Sequence, residues 1–160
     1  MDLEGVIAEA AGMLRLGKSS SRQAASRESV RVYWDVGRLL AAHLEESGGR
    51  ADYGEKVVAR LGEVSGYRLR QIYEFVDFAR KFSIVPSRAQ LSWSHYRRLL
   101  AVGTMARRHF YVREAARLGW SVKELEAAVA KDAFTEAREA VSGEAGSGLW
   151  GGGGICIRIR

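Results

Sequence analysis

Whether this chain could cut a phosphodiester depends on where its lysines stand. A metal-dependent nuclease built on an acid-x-lysine pair needs a carboxylate two positions before the ammonium, so that both converge on one metal-bound phosphate. The five lysines, Lys18, Lys56, Lys81, Lys123 and Lys131, are preceded at that spacing by Leu16, Gly54, Ala79, Ser121 and Val129. None is acidic. The sequence also lacks a P-loop, a paired-glycine dinucleotide fingerprint, an HExxH and a GxSxG elbow, and the run Gly151 to Gly154 is not followed by a helix pattern. His43, His95, His109 and the single Cys156 show no metal-ligand spacing. A tail cysteine has no scaffold to hold it against a histidine as a nucleophile. The expectation is no catalytic residue, no metal and no cofactor.

Arginines offer a different chemistry. The net charge is +6, and it is unevenly spread: residues 60 to 113 hold eleven Lys/Arg against three Asp/Glu, whereas the segments on either side are close to balanced. Ten of the eleven are arginine, whose planar fork pairs with phosphate oxygens two at a time. A polyanion such as DNA is the natural partner, and a merely solvated basic face is the alternative. In the segment after Ser94, Tyr96, Leu99 and Leu100 turn inward. Arg97, Arg98 and Ala101 are left outside with no nearby acid in sequence, and Arg107 and Arg108 follow in the next helix. Ser92, Ser94 and His95 sit at the start of the helix that carries Arg97 and Arg98, where hydroxyls and backbone N–H groups can donate to phosphate. These seven residues are the expected DNA-binding set, with Arg68 and Arg70 secondary because Glu74 and Asp77 share the face of Arg70.

A succession of helices must position them. The chain has one proline, Pro86, and almost no strand signal. The expected elements are a weak helix from Asp2 to Leu16, a polar break at Lys18-Ser19-Ser20-Ser21, and a strong helix from Gln23 to Leu44. The last carries a stripe of Ser26, Val30, Tyr33, Gly37, Leu40 and Leu44, widened by Val36 and Ala41. Gly37 within that stripe costs about 1 kcal/mol against alanine, which points to another backbone packing closely there. Next come a short helix from Tyr53 to Leu61, a tight link over Gly62 to Gly66, and a helix from Tyr67 to Phe82 with Leu69, Ile72, Val76 and Ala79 inward. Together these read as a helix-turn-helix-like core. Beyond Pro86, a helix is expected from His95 to Val102 and another to Leu118. Gly119 follows as the stop, and Ser121-Val122-Lys123-Glu124 spells a capping box for a last helix to about Ala140. Tyr33, Trp93, Tyr96 and Trp120 read as packing residues, while Tyr73, Phe78, Phe110 and Tyr111 are left over as candidates for a partner surface. Glycine dominates beyond Val141, and residues 142 to 160 are expected to be a flexible tail.

Five blocks then resemble one family. Val32-Tyr33-Trp34-Asp35-Val36-Gly37-Arg38 looks like its Tyr-Trp-acid-Ile-Gly-Arg helix, and Arg50-Ala51-Asp52-Tyr53-Gly54-Glu55-Lys56-Val57-Val58 like its Arg-Ala-Glu-Tyr-Gly-Lys-Lys segment. Leu69 to Phe75, Gln90 to Leu100 with its Leu-Ser-Trp-Ser-His run, and Phe110 to Ala115 continuing into Trp120 to Glu126 complete the match. The resemblance, over residues 23 to 131, is to the N-terminal helical domain of YhcG-type proteins, bacterial proteins whose C-terminal half is a PD-(D/E)XK nuclease. The link from Leu61 to Tyr67 is shorter than the family's, and the chain enters its glycine-rich tail where a full-length member would continue into the nuclease half. The resemblance therefore implies the non-catalytic module, with a role in DNA binding or assembly.

The reading is thus an all-α protein in three parts: residues 1–22, a helix and polar break; 23–141, the helical domain; 142–160, the tail. It is expected to bind duplex DNA through phosphates, with weak sequence preference. The rival is an interaction module that docks a separate nuclease or modification subunit, or a second copy of itself. No stretch approaches the roughly 20 apolar residues that span a bilayer, and an opening with Asp2 and Glu4 does not read as a secretory signal. A cytoplasmic, membrane-free protein is expected.

Overall fold

A computed structural model describes residues 2–16, 22–48, 51–82 and 91–144. Among them are eight helices and no strand: α1 (Leu3–Leu16), α2 (Arg22–Glu46), α3 (Ala51–Ser65), α4 (Leu69–Lys81), α5 (Trp93–Leu99), α6 (Met105–Leu118), α7 (Val122–Ala130) and α8 (Ala133–Glu144). The all-α reading is correct. Of the tail expected over residues 142–160, residues 142–144 form the end of α8, and the rest, like the polar break at Lys18 to Ser21, lies outside the described residues.

Helices α2 and α4 are the spine. Gly37 sits where the two cross, and a Cβ built on it would collide with the Phe75 carbonyl and lie 3.0 Å from the Ala79 Cβ. The close backbone approach expected from a glycine in an apolar stripe is therefore present. On one side of this crossing, Val6, Ile7, Ala10, Ala11 and Leu14 of α1 pack with Val36 and Leu40 of α2, Val57, Val58 and Leu61 of α3, and Ile72, Phe75 and Val76 of α4. On the other, Val30 and Phe78 join Phe82, Tyr96, Leu99, Tyr111, Trp120, Leu125 and Ala128. Trp93, the first residue of α5, touches both clusters. Its ring lies edge-on to Tyr33, Phe75 and Phe78, with centroids 5.2, 5.5 and 5.2 Å away. Such edge-to-face contacts add to what burial alone provides.

Several boundaries differ from those expected. α3 runs on through Gly62 to Ser65, so the link to α4 is only Gly66, Tyr67 and Arg68, with Gly66 left-handed at φ +75°. The α3–α4 pair is not a self-standing helix-turn-helix, because α4 buries its apolar side mainly on α2. That side is centred on Ile72, Phe75, Val76 and Phe78 and leaves Leu69 half exposed instead of inward. The expected last helix is two. Asp132 turns left-handed at φ 54° and ends α7, and its carboxylate then accepts from the Thr135 hydroxyl at 2.8 Å to start α8. Asp and Asn tolerate this conformation better than other residues with a Cβ because their short polar chains bond locally.

Gly119 takes the left-handed position (φ 65°) after α6. Ser121 and Glu124 form the expected capping box: the Ser121 N–H donates to Glu124 Oε2 at 2.7 Å and the Glu124 N–H to Ser121 Oγ at 3.3 Å. The bond from the Ser121 N–H, reinforced by the Ser121 hydroxyl, holds the Glu124 carboxyl below its usual range.

Candidate nucleic-acid interface

The expected phosphate-binding residues fall into two groups once their partners are traced. Ser92 and His95 are occupied in building the start of α5. His95 Nε2 lies 2.9 Å from the Trp120 carbonyl and must donate to it, which leaves Nδ1 to accept from the Ser92 hydroxyl at 2.8 Å and the Ser92 N–H at 3.3 Å. The imidazole thus ties the N-cap of α5 to the α6–α7 corner. The Leu-Ser-Trp-Ser-His run is in this respect a structural clamp, and only Ser94 of its polar residues is exposed.

Arg97 and Arg98 do face outward, as their spacing implied, but acids from other helices meet them. Arg97 Nε lies 3.0 Å from Glu74 of α4, and Arg98 Nε 2.6 Å from Glu126 of α7. Their side chains remain 52% and 63% exposed, so part of each guanidinium still faces solvent. Arg107 is half-buried. It donates to Asp132 at 2.9 Å and to Thr135 at 3.1 Å, and its guanidinium lies 5.4 Å from the centre of the Phe134 ring. The Asp132 carboxyl is held below its usual range by the Thr135 hydroxyl, with Arg107 adding to the effect.

Arg108 is not a surface residue. Only 8% exposed, it donates through Nη1 to the Val102 carbonyl at 2.7 Å and the Gly103 carbonyl at 3.3 Å, closing the end of the α5 region. Sequence alone could not separate it from Arg107, because adjacent helical positions point about 100° apart and the inward one is chosen by its neighbours. Arg108→Ala is expected to lower stability by about 1.5 to 3 kcal/mol, since a charged donor leaves two carbonyls behind, without altering the salt dependence of any DNA binding. Urea unfolding and a salt titration check the two halves of this expectation.

Further exposed cations stand at the start of α4, along it and at its border with α5. The Arg68 backbone N–H is capped by Gln71 Oε1 at 3.1 Å, and the Arg68 side chain is exposed and makes no ion pair or hydrogen bond with the described residues. The same is true of Arg80. The Arg70 side chain is 84% exposed and reaches Glu74 at 3.3 Å. Lys81 bonds Asp77 at 2.8 Å and the Leu100 carbonyl at 2.9 Å, joining α4 to the end of α5. Glu74, only 16% exposed, therefore lies between two arginines, Arg70 and Arg97. Tyr73 stands half exposed on the same side of α4.

The family described as the DUF1016 N-terminal domain matches residues 9–136. The chain belongs to that family. It is the family of the YhcG-type N-terminal half that the five sequence blocks resemble. No curated protein and no solved structure is significantly similar to the chain. In this DUF1016 N-terminal domain, the matched span covers every helix from α2 to α7, most of α1, and the opening of α8. It includes the second core cluster, all of the first but Val6 and Ile7, and the α4–α5 border. Among the described residues, no group of three or more His, Cys, Asp or Glu side chains is placed to hold a metal ion, and no helix is long and apolar enough to cross a membrane.

Of the seven primary residues expected from sequence, the structure leaves Ser94, Arg97 and Arg98 facing solvent and draws Ser92, His95, Arg107 and Arg108 wholly or partly into internal contacts. Arg80 was missed. Its signal was in the sequence, because it stands seven residues after Tyr73 and ten after Arg70, on the same side of one helix.

Proposed function

We propose that this DUF1016 N-terminal domain is a non-catalytic module that binds duplex DNA through phosphates, using the solvent-facing side of α4 together with α5. The observation that supports it most is the charge left over after the ion pairs are made. Arg70, Arg80, Lys81, Arg97 and Arg98 stand there against Glu74, Asp77 and Glu126, so five cations meet three carboxylates, and Arg68 adds an exposed sixth cation at the start of α4. Ion pairs at a surface neutralise locally, but the surplus still attracts a polyanion over a Debye length of about 10 Å. Few of these side chains are placed for bidentate reading of base edges, which supports binding with weak sequence preference.

If about four phosphates are neutralised, log affinity for a duplex falls with log salt at a slope near −3.6. Arg68→Ala with Arg80→Ala removes two cations that make no ion pair or side-chain hydrogen bond with the described residues, and is expected to flatten the slope by nearly two units with the fold intact. Fluorescence anisotropy across a salt series measures this. An unchanged slope, or no binding at low salt, would refute the reading.

A second reading, docking of a nuclease or modification subunit or of another copy, is favoured by the far end of α8. Residues 138–142 are exposed all round, and Val141 continues the line of Phe134 and Ala137 off the end of the core at 56% exposure. Apolar docking would hold or strengthen as salt rises, where phosphate binding weakens.

A further inference from the structure

Five of the six tyrosines use their rings or hydroxyls inside the protein. Tyr33 stacks on Phe75 with centroids 4.3 Å apart and its hydroxyl meets that of Tyr67 at 3.4 Å, Tyr53 bonds His43 at 2.9 Å, Tyr96 packs between Phe78 and Phe82, and Tyr111 accepts from the Phe134 N–H. Tyr73 does none of this. Its residue is 45% exposed, and it makes no hydrogen bond or ring contact with the described residues. Leu69, one turn earlier on the same side, is 50% exposed. Arg70 and Arg80 stand before and after the ring, about 15 Å apart along the axis at 1.5 Å per residue. Of the two nearby carboxylates, Asp77 is taken by Lys81 and Glu74 is shared by Arg70 and Arg97, while Arg80 makes no ion pair with the described residues. The opposite side of α4 is anchored by Ile72, Phe75, Val76 and Phe78, so the ring stands on a rigid support.

A planar ring beside an apolar side chain, with an arginine at either end, combines a stacking platform with phosphate contacts. Paired bases in a duplex keep their π-faces covered by their neighbours in the stack, and only unpaired bases offer them. We propose that this side of α4 takes single-stranded nucleic acid, with Tyr73 stacking on an unpaired base, Leu69 packing beside it and Arg70 and Arg80 holding the flanking phosphates. This rests on the nucleic-acid reading above and goes beyond it: the side that holds a duplex through its phosphates takes an unpaired strand more tightly.

The test compares a fluorescein-labelled oligothymidylate with a mixed-sequence duplex of equal length, using the full chain and its Tyr73→Ala and Tyr73→Phe variants, with circular dichroism as a check on folding. The full chain should bind the single strand more tightly. Tyr73→Ala should lose about 5- to 150-fold on the single strand, the range that removal of one stacking ring gives, and nothing on the duplex, while Tyr73→Phe should keep the preference. No preference for the single strand, or equal effects of Tyr73→Ala on both probes, would overturn this inference and leave duplex binding standing. Failure of the full chain to bind either probe at low salt would overturn both. Self-association abolished by Tyr73→Ala, with neither probe bound, would assign this side of α4 to a protein partner instead.

Discussion

Gly37→Ala is expected to destabilise the protein by about 2 kcal/mol or more, although alanine is the better helix former by about 1 kcal/mol. The added methyl has nowhere to go. It would overlap the Phe75 carbonyl carbon and oxygen, which belong to the backbone of α4 and cannot rotate aside, and it would meet Ala79 as well. α2 and α4 would have to separate, loosening both core clusters at once because each draws on both helices. Gly37→Val should be worse and leave little cooperative unfolding, since total stabilities are commonly only about 5 to 15 kcal/mol. Urea titrations followed by circular dichroism measure both. A Gly37→Ala protein as stable as the parent would mean that the helix crossing is not as close as described.

Phe78→Ala should cost about 3 to 5 kcal/mol, the usual range for truncating a fully buried phenylalanine. Phe78 is 0% exposed and packs against Phe82, Trp93 and Tyr96 at centroid distances of 5.3, 5.2 and 5.1 Å. It stands where α2, α4 and α5 meet, so its cavity would be lined by three helices and could not collapse without moving one of them. Tyr73→Ala, five residues earlier on the same helix, should change stability by less than about 0.5 kcal/mol, as surface substitutions usually do. Thermal melts of the two variants side by side check the contrast. The reverse order would mean that α4 is rotated from the orientation described.

That pair also shows how far a helical pattern carries. Periodicity located α4 and two of its four buried residues, Ile72 and Val76, but Leu69, Phe75 and Phe78 were placed on the wrong side or on none. An apolar stripe marks a helix's direction of burial only to within about one residue spacing, and an amphipathic helix packed on two neighbours buries more than one stripe. The caps were legible because they are local. Gly119, and the Ser121–Glu124 pair, satisfy their own helix ends with groups three or four residues away and need no distant partner. The break at Asp132 was not legible, since the Lys131-Asp132 pair interrupts no apolar period, and the turn there is secured by Arg107 from another helix.

The sequence by itself determined that the protein is all helical, that a backbone crosses at Gly37, that the surplus charge is arginine between residues 60 and 113, and that the chain resembles the family to which it belongs. Each of these depends on composition or on residues within a turn or two of one another. Only the tertiary structure decided which arginines face solvent. Arg97 is met by Glu74 from 23 positions earlier, Arg98 by Glu126 from 28 later and Arg107 by Asp132 from 25 later, while Arg108 turns inward to close the end of α5. A charge count along the chain sees a basic segment, whereas the field at the surface is set by carboxylates that folding brings within about 3 Å from other helices, and Coulomb interaction depends on that distance and not on separation in sequence.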